Sequence, residues 1–103
     1  MAILEAEVEA KICDYAKANG LLVYKFTSPA RRGVPDRLFV LPQGRIFFME
    51  MKAPGKFPTP AQEREHFRLR QAGVTVYWTD SAERGIKFIA AEIEFMNSHA
   101  KPQ

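Results

Sequence analysis

Two segments rich in proline and glycine limit where regular structure can form in this chain of 103 residues. Residues 27–35 contain two prolines and a glycine, and residues 53–60 contain three prolines and a glycine. Neither segment can continue a helix or a strand, because proline lacks a backbone N–H and glycine favours turns. The regular elements must therefore lie before, between and after these two loops.

Four short runs rich in apolar and β-favouring residues predict strands. They span residues 21–26, 36–41, 45–52 and 74–78. A tight turn at Pro42-Gln43-Gly44 separates the second run from the third. We therefore expect those two strands to pair antiparallel as a hairpin.

Three helices complete the predicted order, which is α-β-β-β-α-β-α. Apolar residues recur at i, i+4 and i+8 from Leu4, which predicts a helix over residues 3–18. Thr59 is a suitable N-cap before Pro60 for a second helix to about residue 72, and Asp80 or Ser81 can cap a third to about residue 96. The sequence thus predicts an α/β fold in which helices pack on a mixed four-stranded sheet.

The composition is that of one globular domain over residues 1–103, with 47% hydrophobic and 26% charged residues. A single cysteine, Cys13, excludes an intramolecular disulfide framework and a cysteine-based zinc cluster. No apolar stretch approaches the roughly 18 residues of a membrane span, and the acidic N-terminus does not resemble a secretion signal. We expect a cytoplasmic protein without a membrane partner.

The charge is unevenly distributed along the chain. The formal net charge is +3, but residues 25–70 carry ten basic and four acidic residues and sum to +6, so the remaining residues sum to −3. A basic centre between acidic ends favours a partner that bears phosphates, such as a nucleic acid.

Two carboxylates and a lysine are expected to meet at the open end of the hairpin. Asp36 lies seven residues before Gln43 and Glu50 lies seven residues after it, so the two are expected to be cross-strand neighbours. Strand alternation places Lys52 on the same face as Glu50. Neighbouring carboxylates repel unless something compensates them, and a hard divalent cation such as Mg²⁺ would do so. Lys52 could then orient or deprotonate an attacking water, or hold the scissile phosphate.

Four motifs, taken in order, resemble those of the VRR-NUC nucleases, which form a small branch of the PD-(D/E)xK superfamily related in form to Holliday-junction resolvases. They are Gly33-Val34-Pro35-Asp36, residues 48–55 (FMEMKAPG), Pro60-Ala61-Gln62 and Gln71-Ala72-Gly73-Val74. The resemblance covers nearly the whole chain. It implies a restriction-endonuclease-like sheet and hydrolysis of DNA phosphodiester bonds with Mg²⁺ or Mn²⁺.

The resemblance also implies roles for individual residues. Asp36 and Glu50 match the metal-binding carboxylates, Lys52 matches the catalytic lysine, and Gln62 matches a glutamine that characterises the family. A further acidic residue is expected on the first helix. Glu5 fits that position best, and Glu9, one helical turn later, is the alternative.

The remaining basic, histidine and aromatic residues are interpreted individually. The candidate phosphate contacts are Lys25, Arg31, Arg32, Arg37 and Lys56. Arg64 and Arg68 alternate with acidic residues and are interpreted as an ordinary charged helix surface. His66 is predicted to lie on the protein surface. Phe57 is predicted to cover the core, with stacking on a base as the alternative.

The function implied by the resemblance is a DNA endonuclease of the stand-alone phage type, acting in a bacterial or phage-infected cell. We expect it to select branched or junction DNA, with plain duplex also possible, rather than a base sequence. A homodimer would place two sites on opposite strands, and a replication or recombination protein could supply targeting. One alternative is a non-catalytic nucleic-acid-binding module that retains the nuclease fold. An enzyme acting on nucleotides or small phosphate esters is less favoured, because the chain has no glycine-rich phosphate loop.

Overall fold

The computed structural model describes residues 3–99, which form the predicted order of three helices and four strands. The elements are α1 (Glu5–Ala18), β1 (Leu22–Lys25), β2 (Arg37–Val40), β3 (Ile46–Met51), α2 (Pro60–Gln71), β4 (Val76–Thr79) and α3 (Ala82–Ser98). The last helix continues through Asn97 and Ser98, where the sequence predicted its end. None of the helices within residues 3–99 has the length and apolar character needed to cross a bilayer.

The four strands form one mixed sheet in the order β1-β2-β3-β4. The first two pairings are antiparallel and the third, β3 with β4, is parallel. A parallel pairing requires a crossover, and α2 supplies it. The β2–β3 hairpin turns at Gln43 and Gly44, whose φ angles of 73° and 87° are both left-handed.

The hydrophobic core lies between α1, α3 and one face of the sheet. Phe47, Met49 and Met51 alternate along β3 and are fully buried there, as the strand period predicts. Ile12 from α1 and Ile89 from α3 complete the same cluster. The other face of the sheet is covered by α2, and this second face carries Glu50, the one polar residue of β3.

Phe57 is exposed, contrary to the prediction that it covers the core. Its exposed fraction is 69%, and its ring centroid lies 5.7 Å from that of Trp78 on β4. The proline-rich loop that holds Phe57 is attached to the residue after β4, since the Gly55 backbone N–H donates to the carboxylate of Asp80. The ring therefore rests against Trp78 at the surface.

The exposure of Phe57 predicts a small effect on stability. Phe57→Ala should change the free energy of unfolding by less than about 1 kcal/mol, because little buried area is lost. Phe39→Ala, which empties a fully buried position, should cost about 3–5 kcal/mol. Denaturant unfolding followed by circular dichroism measures both, and equal losses would contradict the exposed placement of Phe57.

Candidate active site

The β2–β3 pairing brings Asp36 beside Glu50. Arg37 is the register partner of Met49, so one step further along the hairpin the partners are Asp36 and Glu50. The loop before Asp36 is fixed by close packing, because Pro35 is fully buried. Gly33 adopts φ +81°, and a Cβ there would lie 2.5 Å from the carbonyl oxygen of Ala61 at the start of α2. Only glycine fits this approach, so the loop holds Asp36 on a rigid backbone.

Two glutamates from α1 join Asp36 in an acidic cluster. Carboxylate oxygens of Glu5, Glu9 and Asp36 lie within 4.8 Å of one another. Glu9 also pairs with Arg37 at 3.4 Å, whereas Glu5 takes part in none of the ion pairs found within residues 3–99. Both glutamates considered from the sequence therefore reach the cluster. The donor set consists of oxygens alone, which is what hard divalent cations prefer.

Glu50 is buried next to this cluster, with an exposed fraction of 1%. Its Oε2 accepts a hydrogen bond from Gln62 Nε2 at 3.3 Å and lies 3.7 Å from Lys52 Nζ. Its Oε1 is buried without a hydrogen-bond partner. Burial raises the pKa of Glu50 to about 8, with the nearby carboxyl group of Asp36 acting in the same direction and the charge of Lys52 opposing them. A buried carboxylate beside other carboxylates, with one oxygen unpaired, has the environment that a cation would stabilise.

Lys52 continues β3 by one residue and lies on the face of Glu50, as predicted. Its backbone N–H donates to the carbonyl oxygen of Thr79 at 2.9 Å, which extends the parallel pairing to this position. Only 15% of its side chain is exposed. The ammonium group is therefore held beside the carboxylates rather than moving freely in solvent.

Gln62 connects the start of α2 to Glu50. Its side-chain oxygen accepts from the Thr59 backbone N–H at 2.8 Å, while Thr59 Oγ1 accepts from the Gln62 backbone N–H, which forms a capping box. The amide nitrogen of the same side chain donates to Glu50. Gln62 thus orients Glu50 from a rigid helix terminus.

His66 is buried in the site, contrary to the prediction that it lies on the surface. Its exposed fraction is 1%, and its Nε2 lies 3.9 Å from the unpaired Oε1 of Glu50. Neither atom has a hydrogen-bond partner. Burial, followed by the charge of Arg70, lowers the pKa of His66 to about 4, so the ring is neutral near pH 7. The sequence does contain an indication of this position. His66 follows Gln62 by four residues and so lies on the same face of the helix as Gln62.

The predicted phosphate contacts divide into two groups. Arg37 is paired with Glu9 of the acidic cluster, and Lys25 and Lys56 are exposed. Arg31 and Arg32 line a groove of about 450 Å³ between their loop and α2, together with Arg64 and Arg68. The structure thus brings four arginines together. The sequence interpretation assigned two of them to a phosphate-binding loop and the other two to an ordinary charged helix surface.

Comparisons with known proteins identify relatives of this chain. No protein-family model matches the chain. A phage protein named "Putative nuclease p44", from Acyrthosiphon pisum secondary endosymbiont phage 1, is 49% identical over 81 residues, which are 79% of this chain and 87% of that protein. A solved structure named "VRR_NUC domain" is 32% identical and superposes with a TM-score of 0.74 over 94% of this chain and 97% of its own. A second, named "VRR_NUC domain protein", has a TM-score of 0.72 over 91% of each chain at 18% identity, which shows the fold alone.

Proposed function

Because this chain belongs to the VRR_NUC family, we propose that it is a metal-dependent endonuclease that hydrolyses phosphodiester bonds in DNA. One observation supports this proposal above all. Carboxylates from α1 and from the β2–β3 hairpin meet at one point, beside a lysine that is largely shielded from solvent. A cluster of like charges is costly for a fold to maintain, so its presence favours a function that needs those charges.

The residues present fit a divalent cation. Asp36 and Glu50 are the proposed ligands, and Glu5 or Glu9 would complete the set from α1. The unpaired Oε1 of Glu50 supports this assignment, because a buried carboxylate oxygen requires a partner. Mg²⁺ or Mn²⁺ bound there would polarise the scissile phosphoryl group and stabilise the leaving oxygen.

The chain's own side chains supply the remaining steps. Lys52 Nζ is available to hold and orient the attacking water against the phosphorus. Its positive charge also offsets the negative charge that develops on the phosphate in the transition state. Gln62 and Lys52 both contact Oε2 of Glu50 and so leave Oε1 directed away from them. The neutral ring of His66 lies on the buried side of Glu50, with its Nε2 3.9 Å from Oε1.

The preferred substrate is branched or junction DNA, with selection by shape rather than by base sequence. The three helices and four strands of residues 3–99 all belong to the sheet and its covering layers, so no additional α-helix or strand is present there as a separate base-reading element. A homodimer would place two sites on opposite strands. Light scattering at micromolar protein concentration tests that assembly, and a monomer mass would contradict it.

The proposed activity predicts strict dependence on a divalent cation. Purified protein should cut a panel of four-way junction, flapped, nicked, single-stranded and duplex DNA with Mg²⁺ or Mn²⁺, and not with EDTA. Branched substrates should be cut about tenfold faster than duplex. Asp36→Asn is the matched inactive variant, since it removes one charge at nearly constant volume.

Each outcome of this panel bears on a different part of the proposal. Cleavage in EDTA would contradict metal dependence. Equal rates on every substrate would contradict shape selection and leave the nuclease activity intact. DNA binding without cleavage in any metal would favour a non-catalytic binding module instead.

A further inference from the structure

Four arginines line one groove next to the candidate active site. Arg31 and Arg32 come from the loop before β2, and Arg64 and Arg68 come from one face of α2. Ala30 and Ala61 supply small, uncharged walls. The only carboxylate among the residues that line the groove is Glu65, so the lining carries four positive charges and one negative charge.

Glu65 lies at the base of the groove and holds two of the arginines. Only 8% of its side chain is exposed, and its Oε1 lies 3.2 Å from a terminal nitrogen of Arg31 and 3.5 Å from Nε of Arg68. The two arginine side chains nevertheless remain 47% and 65% exposed. A buried carboxylate that contacts both limits their conformational freedom before any ligand arrives, which lowers the entropic cost of binding one.

The other two arginines have no such partner. Arg32 and Arg64 are exposed and take part in no ion pair within residues 3–99. Their charges are therefore available to an anion in solution. The groove thus combines two arginines paired with Glu65 and two that have no ion-pair partner within residues 3–99.

The groove adjoins the candidate active site along α2. Ala61 and Glu65, which line it, directly precede Gln62 and His66, which face Glu50. Successive residues on a helix differ by about 100° and 1.5 Å, so the two faces of α2 adjoin. On the loop side, Gly33 contacts Ala61 and lies three residues before Asp36. An extended polyanion bound at the acidic cluster would therefore pass close to the groove.

We propose that this arginine groove binds the sugar-phosphate backbone of the substrate DNA beside the scissile phosphate. The inference rests on the proposed nuclease function and assigns a substrate-binding role to Arg64 and Arg68. Guanidinium groups pair with phosphate oxygens through two parallel hydrogen bonds. Contacts of this kind fix the position and direction of a nucleic acid without reading its sequence.

The test compares two double variants that each remove two positive charges. Arg64→Gln/Arg68→Gln alters the groove, whereas Lys17→Gln/Lys87→Gln alters the end of α1 and an exposed pair on α3. All proteins carry Asp36→Asn so that the DNA remains intact. Binding of a fluorescent four-way junction is measured by anisotropy between 50 and 200 mM KCl.

The groove variant should bind at least tenfold more weakly, and its plot of log Kd against log salt should lose about 2 units of slope, one for each phosphate contact removed. The loss should be equal for two junctions of unrelated sequence. The control variant should stay within about twofold of its parent. Equal affinity and slope for the two double variants would overturn the inference. Melting curves check folding, and only small shifts are expected because the altered side chains are exposed.

Failure of this inference is separable from failure of the proposed function. With Asp36 restored, the groove variant should raise KM for DNA at least tenfold, more than it lowers kcat. If the wild type cuts DNA and the groove variant binds normally, only the groove assignment is wrong. If the wild type does not cut DNA and the groove variant loses binding, the assignment stands and the nuclease proposal is wrong.

Discussion

Lys52→Met is expected to reduce the DNA cleavage rate by about 10²-fold or more while leaving affinity for DNA within about threefold of wild type. Methionine has nearly the length of lysine and suits a side chain that is only 15% exposed, so the fold should be kept. The substitution removes the ammonium group that lies 3.7 Å from Glu50 Oε2. Single-turnover cleavage with Mn²⁺ measures the rate, and anisotropy measures the affinity.

Lys87→Met provides the control for loss of one lysine charge. Lys87 lies on α3, on the side of the fold opposite α2, and 74% of its side chain is exposed. The cleavage rate of Lys87→Met should therefore match that of the wild type. Turnover retained by Lys52→Met would contradict the role of this lysine. A large loss of DNA affinity in Lys52→Met would instead indicate a binding role.

Glu50→Gln is expected to stabilise the metal-free protein while abolishing cleavage. Glu50 is buried beside Asp36, and burial is the main reason that its pKa is raised to about 8. A glutamine at this position carries no charge, can still accept from Gln62 and can donate to Asp36. In EDTA at pH 8 we expect a gain of about 1 kcal/mol or more, which is about 4–8 °C in Tm for a domain of this size.

This stability difference should depend on pH in a definite direction. Between pH 4.5 and 8 the folded protein holds a proton at Glu50 that the unfolded chain releases, so raising the pH lowers the free energy of unfolding. His66 has the opposite effect between pH 4 and 6.5, where raising the pH increases the free energy of unfolding because the pKa of His66 is lowered on folding. The effect of Glu50 is therefore unopposed by His66 from pH 6.5 to 8, where the wild-type Tm should fall and that of Glu50→Gln should not.

Two further measurements complete this experiment, namely melting with added metal and melting of a control variant that lacks a distant carboxylate. Mg²⁺ should raise the Tm of the wild type and leave that of Glu50→Gln nearly unchanged, because a ligand stabilises only the state that binds it. Glu94→Gln, at an exposed position on α3, should melt like the wild type at every pH. A wild-type Tm that stays constant from pH 6.5 to 8 in EDTA would contradict the buried, proton-binding state of Glu50.

The hairpin was predictable because its geometry is periodic and local. A short turn at Pro42–Gly44 fixes the register of the strands on both sides, so counting residues from the turn correctly paired Asp36 with Glu50. The alternation along β3 likewise separated Met49 and Met51 from Glu50. Those positions follow from the chain itself, without knowledge of how distant elements pack.

The face of α2 was not predictable in the same way. Its buried residues are Glu65 and His66, while Phe67 is 61% exposed, so no apolar stripe marks the side that meets the sheet. A prediction from hydrophobicity alone would therefore have placed the wrong face of this helix against the sheet. The orientation is instead marked by a polar contact, the hydrogen bond from Gln62 to Glu50. His66 and the arginine groove could be assigned only once that orientation was known.

The origin of the acidic cluster in two separate parts of the chain has a consequence for folding order. Glu5 and Glu9 reach Asp36 only when Val8 and Ile12 on the same helix are packed into the core. The hairpin forms from residues close in sequence and can appear early, whereas docking of α1 closes a long loop and comes later. A newly made chain would therefore pass through its early folding steps without a complete site, and its nuclease activity would first appear when the native packing is complete.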